Sequence, residues 1–240
     1  MGKTVVVCSG KGGTGKTMFA ANLGAMLAKR DNRVCLIDMD TGLRNLDLYL
    51  GLENNVVYDV TDVLSGVCRI KQALIKHKSF PGLYFMAASP KPDEGEFTPL
   101  HMQVLCRKLC SKFDYVIVDC PAGIDDGLQI AAGGADQVIM IITPEYSSVR
   151  DAEAVTANLM DQKMNRIHYI LNKVNVDLVK LGYELSLEEL PEVIRRRLIG
   201  IVKDDVNIHI STNLGMPAVF QPDTYIYHNF YKIAGRVMAL

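Results

Sequence analysis

The amino-acid sequence predicts an α/β protein whose doubly wound, mostly parallel sheet is covered by helices on both faces. Three observations carry the prediction. Short apolar runs rich in β-branched residues are bounded by turn residues, segments of helical period lie between them, and the first run leads straight into a glycine-rich loop. Strands that are apolar along their whole length need cover on both faces, and parallel neighbours need long right-handed crossovers. Strand and helix alternating in this way therefore wind around one sheet.

The elements follow in order. Residues 4–8 (Thr-Val-Val-Val-Cys) form the first expected strand, and 16–29 an amphipathic helix behind the loop. A second strand spans 33–38 and a third 83–87, after which the polar stretch 90–99 reads as a surface loop. The helix at 99–112 places Met102, Leu105, Cys106 and Leu109 on one core-facing side. Strands at 115–119, 137–142, 167–172 and 198–202 alternate with helices at 126–134, 147–163 and 187–196. A last helix at 225–239 carries Ile226, Phe230, Ile233 and Val237 as one apolar stripe, expected to pack on the sheet rather than lie in lipid. No linker or repeat divides the chain, so residues 1–240 are expected to form a single domain.

Composition narrows the function classes. A 240-residue chain buries roughly 70–75% of its unfolded surface and needs no disulfides. Its 26 Lys and Arg against 27 Asp and Glu leave a net charge of −1, which gives no overall field toward DNA or anionic lipid. Apolar runs fall short of the ~18–20 residues of a membrane span and no signal peptide is evident, so a cytoplasmic protein is expected. The six cysteines, without zinc spacing, read as free buried thiols.

Gly10-Lys11-Gly12-Gly13-Thr14-Gly15-Lys16-Thr17 fits the phosphate-loop pattern G-x-x-x-x-G-K-[ST] between a strand and a helix. Glycines let backbone N–H groups curl around an anion, and the helix start adds its unpaired amides and positive dipole end. The segment from Gly10 to Met18 is thus the candidate triphosphate site, with a ligand-free glycine turn as the alternative, Lys16 near the β and γ phosphates and Thr17 a ligand for Mg2+. Three acids end strands at the carboxyl edge, where open α/β sheets bind ligands. Asp119 is the candidate metal residue, with a plain strand-end turn residue as the alternative. Asp40 is assigned to the attacking water and Asp38 to support of the metal shell. Lys11, inside the loop, is placed to reach outward, either as a solvated loop lysine or across a dimer interface to a partner's nucleotide.

With Lys11 and Lys16 in one loop, the chain resembles the ParA/MinD family of deviant Walker A ATPases. The resemblance tightens toward its division-site branch through Asp38-Met39-Asp40, Gly42 to Asp47, Val56 to Asp59, Asp119 to Ile124 and Pro144 to Asp151. It implies an ATP-sandwich homodimer with Lys11 acting in trans, switch I around Asp40 and switch II from Asp119. It also implies adenine reading by Asn172, for which a turn-forming Asn is the alternative, and septum-site selection through a MinC-like inhibitor and a MinE-like activator. Ser148 and Asp151 fall in the partner surface by the same likeness, Asp151 being also favoured simply by its place in a first helical turn. Family members usually carry a basic amphipathic tail for the anionic membrane, and that element is expected to be absent here. Lys203 stands where the family often has proline. Competing readings are a ParA-type DNA-segregation or positioning factor, a flagellar-number relative, and an iron-cluster relative for which only Cys120 is suitably placed.

Overall fold

A computed structural model describes residues 1–41, 44–91, 97–186 and 188–240. Gly42, Leu43, residues 92–96 of the expected loop and Leu187 of the expected helix lie outside the described residues. β1 (Lys3–Cys8) leads through the glycine loop into α1 (Lys16–Lys29), and β2 (Val34–Asp38) follows. Then come α2 (Leu46–Leu50), a 3-10 turn at Glu53–Asn55, α3 (Val60–Leu64), α4 (Ile70–Ala73), the two-residue β3 (Ile75–Lys76) and β4 (Leu83–Met86). The middle of the chain alternates as α5 (Pro99–Cys110), β5 (Tyr115–Asp119), α6 (Asp126–Ala132), β6 (Gln137–Ile142), α7 (Tyr146–Asp161) and β7 (Ile167–Val174). It closes with α8 (Val176–Lys180), α9 (Leu190–Val193), β8 (Leu198–Lys203), α10 (Val206–Asn213), a 3-10 turn at Ala218–Phe220 and α11 (Tyr225–Met238).

The eight strands lie in the order β3-β4-β2-β5-β1-β6-β7-β8. Every described pairing is parallel except that of β3 with β4. Side chains alternate across the pleat, and both faces are buried. Along β1, Val5 and Val7 join Leu36 and Ile117 under α1 and α11. Val6 and Cys8 join Cys35, Ile37 and Val118 under α5, α6 and α7. The expected seven strands and their alternation with helices are thus present. All six cysteines are free, five of them buried and Cys68 half-buried. Burial pushes the thiols of Cys8, Cys35 and Cys120 well up, so they behave as apolar filling.

Two elements differ from expectation. The helix at 16–29 is not amphipathic: every residue from Met18 to Ala28 is buried. The sheet covers one side, and α2, α11 and the turn at Ala218–Phe220 cover the other. The helix expected at 187–196 starts only at Leu190, because proline at 191 is tolerated only in a first turn, and it ends at Val193. The last helix packs as expected. Ile226, Phe230, Ile233 and Val237 are all buried, with the Phe230 ring 5.5 Å from that of Phe19. Its polar side holds the edge strand, since Asn229 donates to the Ile201 carbonyl at 2.7 Å and Arg236 to that of Ile199 at 3.0 Å.

Removing the Phe230 ring empties a fully buried site between α1 and α11. Phe230→Ala should cost about 3–5 kcal/mol and Phe230→Leu much less, read as midpoint shifts in urea unfolding.

Candidate functional site

β1 lies between β5 and β6, and the chain first winds to one side of it and later to the other. That reversal opens a crevice at the carboxyl edge of the sheet. There a cleft of about 1080 Å3 is lined by Gly12, Gly13, Lys16, Thr17, Asp40 and Asn172 among others. The structure therefore gathers residues from the β1 loop, the end of β2 and β7 around one space.

The loop's shape rests on close approaches. Gly15 has φ 90°, and a Cβ there would lie 2.3 Å from Nδ2 of Asn172. A Cβ on Gly10 would lie 2.4 Å from the backbone of Asp151, so α7 backs the loop directly. Gly12 and Gly13 have open space where a side chain would stand. No side chain caps the first turn of α1, which leaves its N–H groups and dipole facing the cleft. Buried Asn172 donates to the Thr14 carbonyl at 2.7 Å, and its own Oδ1 and the Thr14 hydroxyl have no partner. Met18 follows the loop as a buried residue of α1 that also lines the cleft.

Asp38 and Asp119 are register partners on adjacent strands, and both are buried. Asp38 Oδ1 accepts the Asp40 N–H at 2.9 Å and Oδ2 the Leu46 N–H at 3.1 Å. Its carboxylate thus shapes the segment that carries Asp40. Neither oxygen of Asp119 has a hydrogen-bond partner. Burial pushes both carboxyls up, Asp38 to about 7 with the neighbouring Asp119 charge adding to the rise, and Asp119 to about 6. The Lys16 ammonium, itself buried, pulls Asp119 back toward its charged form. The Thr17 hydroxyl helps from nearby without a formed hydrogen bond to either oxygen.

Lys11 turns away from this cleft. Its ammonium pairs with the Glu145 carboxylate and lies 3.3 Å from the Ser147 hydroxyl, just ahead of and within the first turn of α7. The Lys11 backbone is braced by the Ser9 hydroxyl, which donates to its carbonyl at 2.8 Å. The expected surface role of Ser148 is corrected: the residue is 1% exposed and its hydroxyl accepts the Thr143 N–H at 3.0 Å. The first turn of α7 presses that side chain inward, whereas Tyr146, Ser147 and Arg150 are exposed and Asp151 is half-buried.

Several residues at the site were given no role there by the sequence. Glu145 lies 134 positions from Lys11. α10 contributes Ile208, His209 and Asn213 to the far wall, yet Val206 and Ile210 are exposed, so no core-facing period marks the helix. Lys203 also lines the cleft, its ammonium 4.8 Å from the Tyr225 ring centroid, and His209 lies 3.6 Å from Asp204.

A glycine loop between β1 and α1, with carboxylates ending β2 and β5, defines a P-loop nucleotide-binding protein. The family model of the CobQ/CobB/MinD/ParA nucleotide binding domain matches residues 5–218. The septum site-determining protein MinD of Bacillus subtilis is 40% identical over 240 residues, covering 99% of this chain and 90% of the relative. That of Synechocystis is 44% identical over 221 residues, covering 92% and 83%. Among solved structures, a MinC:MinD cell division protein complex from Aquifex aeolicus aligns with TM-score 0.90 and 36% identity, covering 99% of this chain and 96% of the other. MinD complexed with Mg-ADP from Pyrococcus horikoshii aligns with TM-score 0.88 and 28% identity, covering 99% and 96%. The chain belongs to the MinD family of septum-site-determining, nucleotide-binding ATPases.

The raised carboxyls predict a pH dependence for the metal-free, nucleotide-free protein. Between pH ~4 and ~7 these two carboxyls hold protons in the folded state that the unfolded chain has released, so their contribution to stability is greatest below this window and falls as pH rises through it. Asp119→Asn should flatten that fall and be more stable than the parent at pH 8 by about 1–3 kcal/mol, measured by urea unfolding at pH 5 and pH 8.

Proposed function

We propose that the chain is an ATP-dependent, dimerising switch that takes part in placing the bacterial division septum, with ATP as substrate and Mg2+ as its metal. The observation that carries this reading is that one loop's two lysines serve two places. Lys16 is buried beside Asp119, while Lys11 lies outside its own cleft on Glu145 and Ser147.

The residues present fit a magnesium-bound triphosphate: a buried carboxylate with both oxygens free, an uncapped helix start and a glycine cradle with open space. Thr17 and Asp119 would hold the metal, and Asp38 would support them through the backbone it fixes. Bound Mg2+ supplies Lewis-acid neutralisation of the phosphate charge. The N–H groups from Gly10 to Met18 and the Lys16 ammonium bind the phosphates. Asp40, lining the cleft, orients the attacking water. Lys11 leaves Glu145 on dimerisation and neutralises charge on the partner copy's nucleotide, as an arginine finger does in related chemistry. Asn172 keeps an unpartnered Oδ1, an acceptor suited to the adenine amino group.

A MinC-like inhibitor and a MinE-like activator are the proposed partners. The solved MinC:MinD complex supports the first, and the second rests on the resemblance of the chain to its family. Their contact surface includes Asp151 with the exposed residues of the same turn. The proposed setting is the cytoplasm and the inner face of the membrane. Among the described residues no helix is long and apolar enough to cross a membrane. The apolar stripe of α11 is buried, so it is not the element that would lie on anionic lipid.

Three variants separate the roles. Lys16→Ala should lose nucleotide binding. Asp40→Ala should bind ATP and sediment as a dimer yet release phosphate at least about a hundredfold more slowly. Lys11→Ala should take up nucleotide but fail to dimerise or hydrolyse. Monomers alone in ultracentrifugation of Asp40→Ala saturated with Mg-ATP would overturn the dimer, and parental phosphate release by that variant would remove the role given to Asp40. Duplex DNA retention at physiological salt would favour the segregation reading instead.

A further inference from the structure

Away from the nucleotide edge, α3 and α4 on one side and α5 on the other enclose an apolar groove of about 640 Å3. Val63, Leu64 and Ile70 form one wall, and Leu100, Val104 and the buried Leu105 form the other wall and floor. The outer side of α5 is partly apolar. Leu100 is 64% exposed and Val104 42%, Lys108 continues the same four-residue ridge, and Lys112 lines the groove just past the end of the helix. Across the groove stand Arg69 and Lys71, also exposed. No carboxylate lines the groove among the described residues, and none of these four cations forms an ion pair there. Among the described residues Asp59 and Asp62 act on Cys68 at this wall, and each accepts the other's backbone N–H at 3.0–3.1 Å in the reciprocal cap of α3.

We propose that this groove docks an acidic amphipathic helix of a protein partner. The apolar walls would take its leucine-type face, and the four cations would meet carboxylates along its flanks. Three features of the groove select that occupant. α5 has twelve residues, which gives a trough of about 18 Å, the length of three helical turns. The floor at Leu105 is 3% exposed and lies between two walls, within reach of a side chain inserted from a helix but not of a flat bilayer surface. Among the described residues the charged side chains that line the groove are all positive, which favours acidic helices over basic ones and hastens their encounter. The site is separate from the nucleotide cleft and shares no lining residue with it.

The test uses a fluorescein-labelled eighteen-residue peptide with leucine at helical spacing and glutamate on both flanks, titrated with the full chain and read by anisotropy. A second peptide carries lysine for every glutamate. The acidic peptide should bind saturably, and the basic one at least about tenfold more weakly. Leu100→Glu and Lys108→Glu change exposed positions; each should weaken the acidic peptide at least about tenfold while thermal midpoint and phosphate release stay at the parent's values. No saturable binding of the acidic peptide, equal affinity for both peptides, or indifference to both substitutions would overturn the proposal. Pelleting of the parent with phosphatidylglycerol vesicles, lost in both variants, would assign the groove to lipid and overturn it equally.

Discussion

Two carboxyl groups buried side by side at the ends of β2 and β5 set the terms for the rest of this molecule. Adjacent strands lie about 4.8 Å apart, and the register makes Asp38 and Asp119 direct neighbours. Placing two such groups out of water raises the free energy of their charged forms. The protein answers the two cases differently. Asp38 is compensated by two backbone N–H groups, whereas Asp119 has the nearby Lys16 charge and Thr17 hydroxyl but no formed hydrogen bond. A buried acceptor pair left open in this way is costly unless something positive completes it. The site is therefore strained electrostatically for a cationic ligand, and the surrounding backbone is arranged by the same groups.

That arrangement ties three loops together. The Asp119 carbonyl accepts the Met39 N–H at 2.9 Å, so the end of β5 holds the turn after β2. The N–H of Gly123, beyond β5, reaches back to the Ser9 carbonyl at 3.1 Å and binds that loop to the phosphate loop. Asp38 extends the chain of contacts to Leu46, the first residue of α2. At the other end of α2, Gly51 stands against the backbone of Gly215; both have positive φ, and a side chain on Gly51 would meet the Gly215 carbonyl at 2.6 Å. A continuous run of contacts thus joins the carboxylate pair to the segment that follows α10.

Much of this was readable in advance, for identifiable reasons. Valine-rich runs such as 4–8 and apolar strands such as 137–142 are legible because both faces of the sheet are buried, which leaves little room for another reading. The glycine loop is legible because its chemistry fixes both residue types and spacing. What was not legible is short or non-local. α2, α3, α4 and α8 span four or five residues, fewer than an apolar period needs, and the antiparallel β3 is only two residues long. The all-round burial of α1 depends on α11, some two hundred residues later, and so could not be judged from α1's own sequence. Ser148 was assigned to the surface by likeness to relatives, yet its inward turn is set by the Thr143 N–H it accepts.

The start of α7 brings these strands of reasoning to one place. Its backbone at Asp151 presses on Gly10, its buried Ser148 closes the end of β6 at Thr143, and Glu145 and Ser147 hold the Lys11 side chain. The same turn exposes Tyr146 and Arg150 to solvent. One short segment therefore touches the phosphate loop with its backbone, anchors the outward lysine with its first polar side chains, and offers its remaining face to the outside. Exposed ion pairs are weak and exchange readily, so the Lys11 to Glu145 contact restrains the lysine without locking it. A molecule that binds the exposed face of this turn meets the very residues on which that lysine rests. Contact with the outside and the disposition of the loop are consequently properties of a single packing unit rather than of two distant sites.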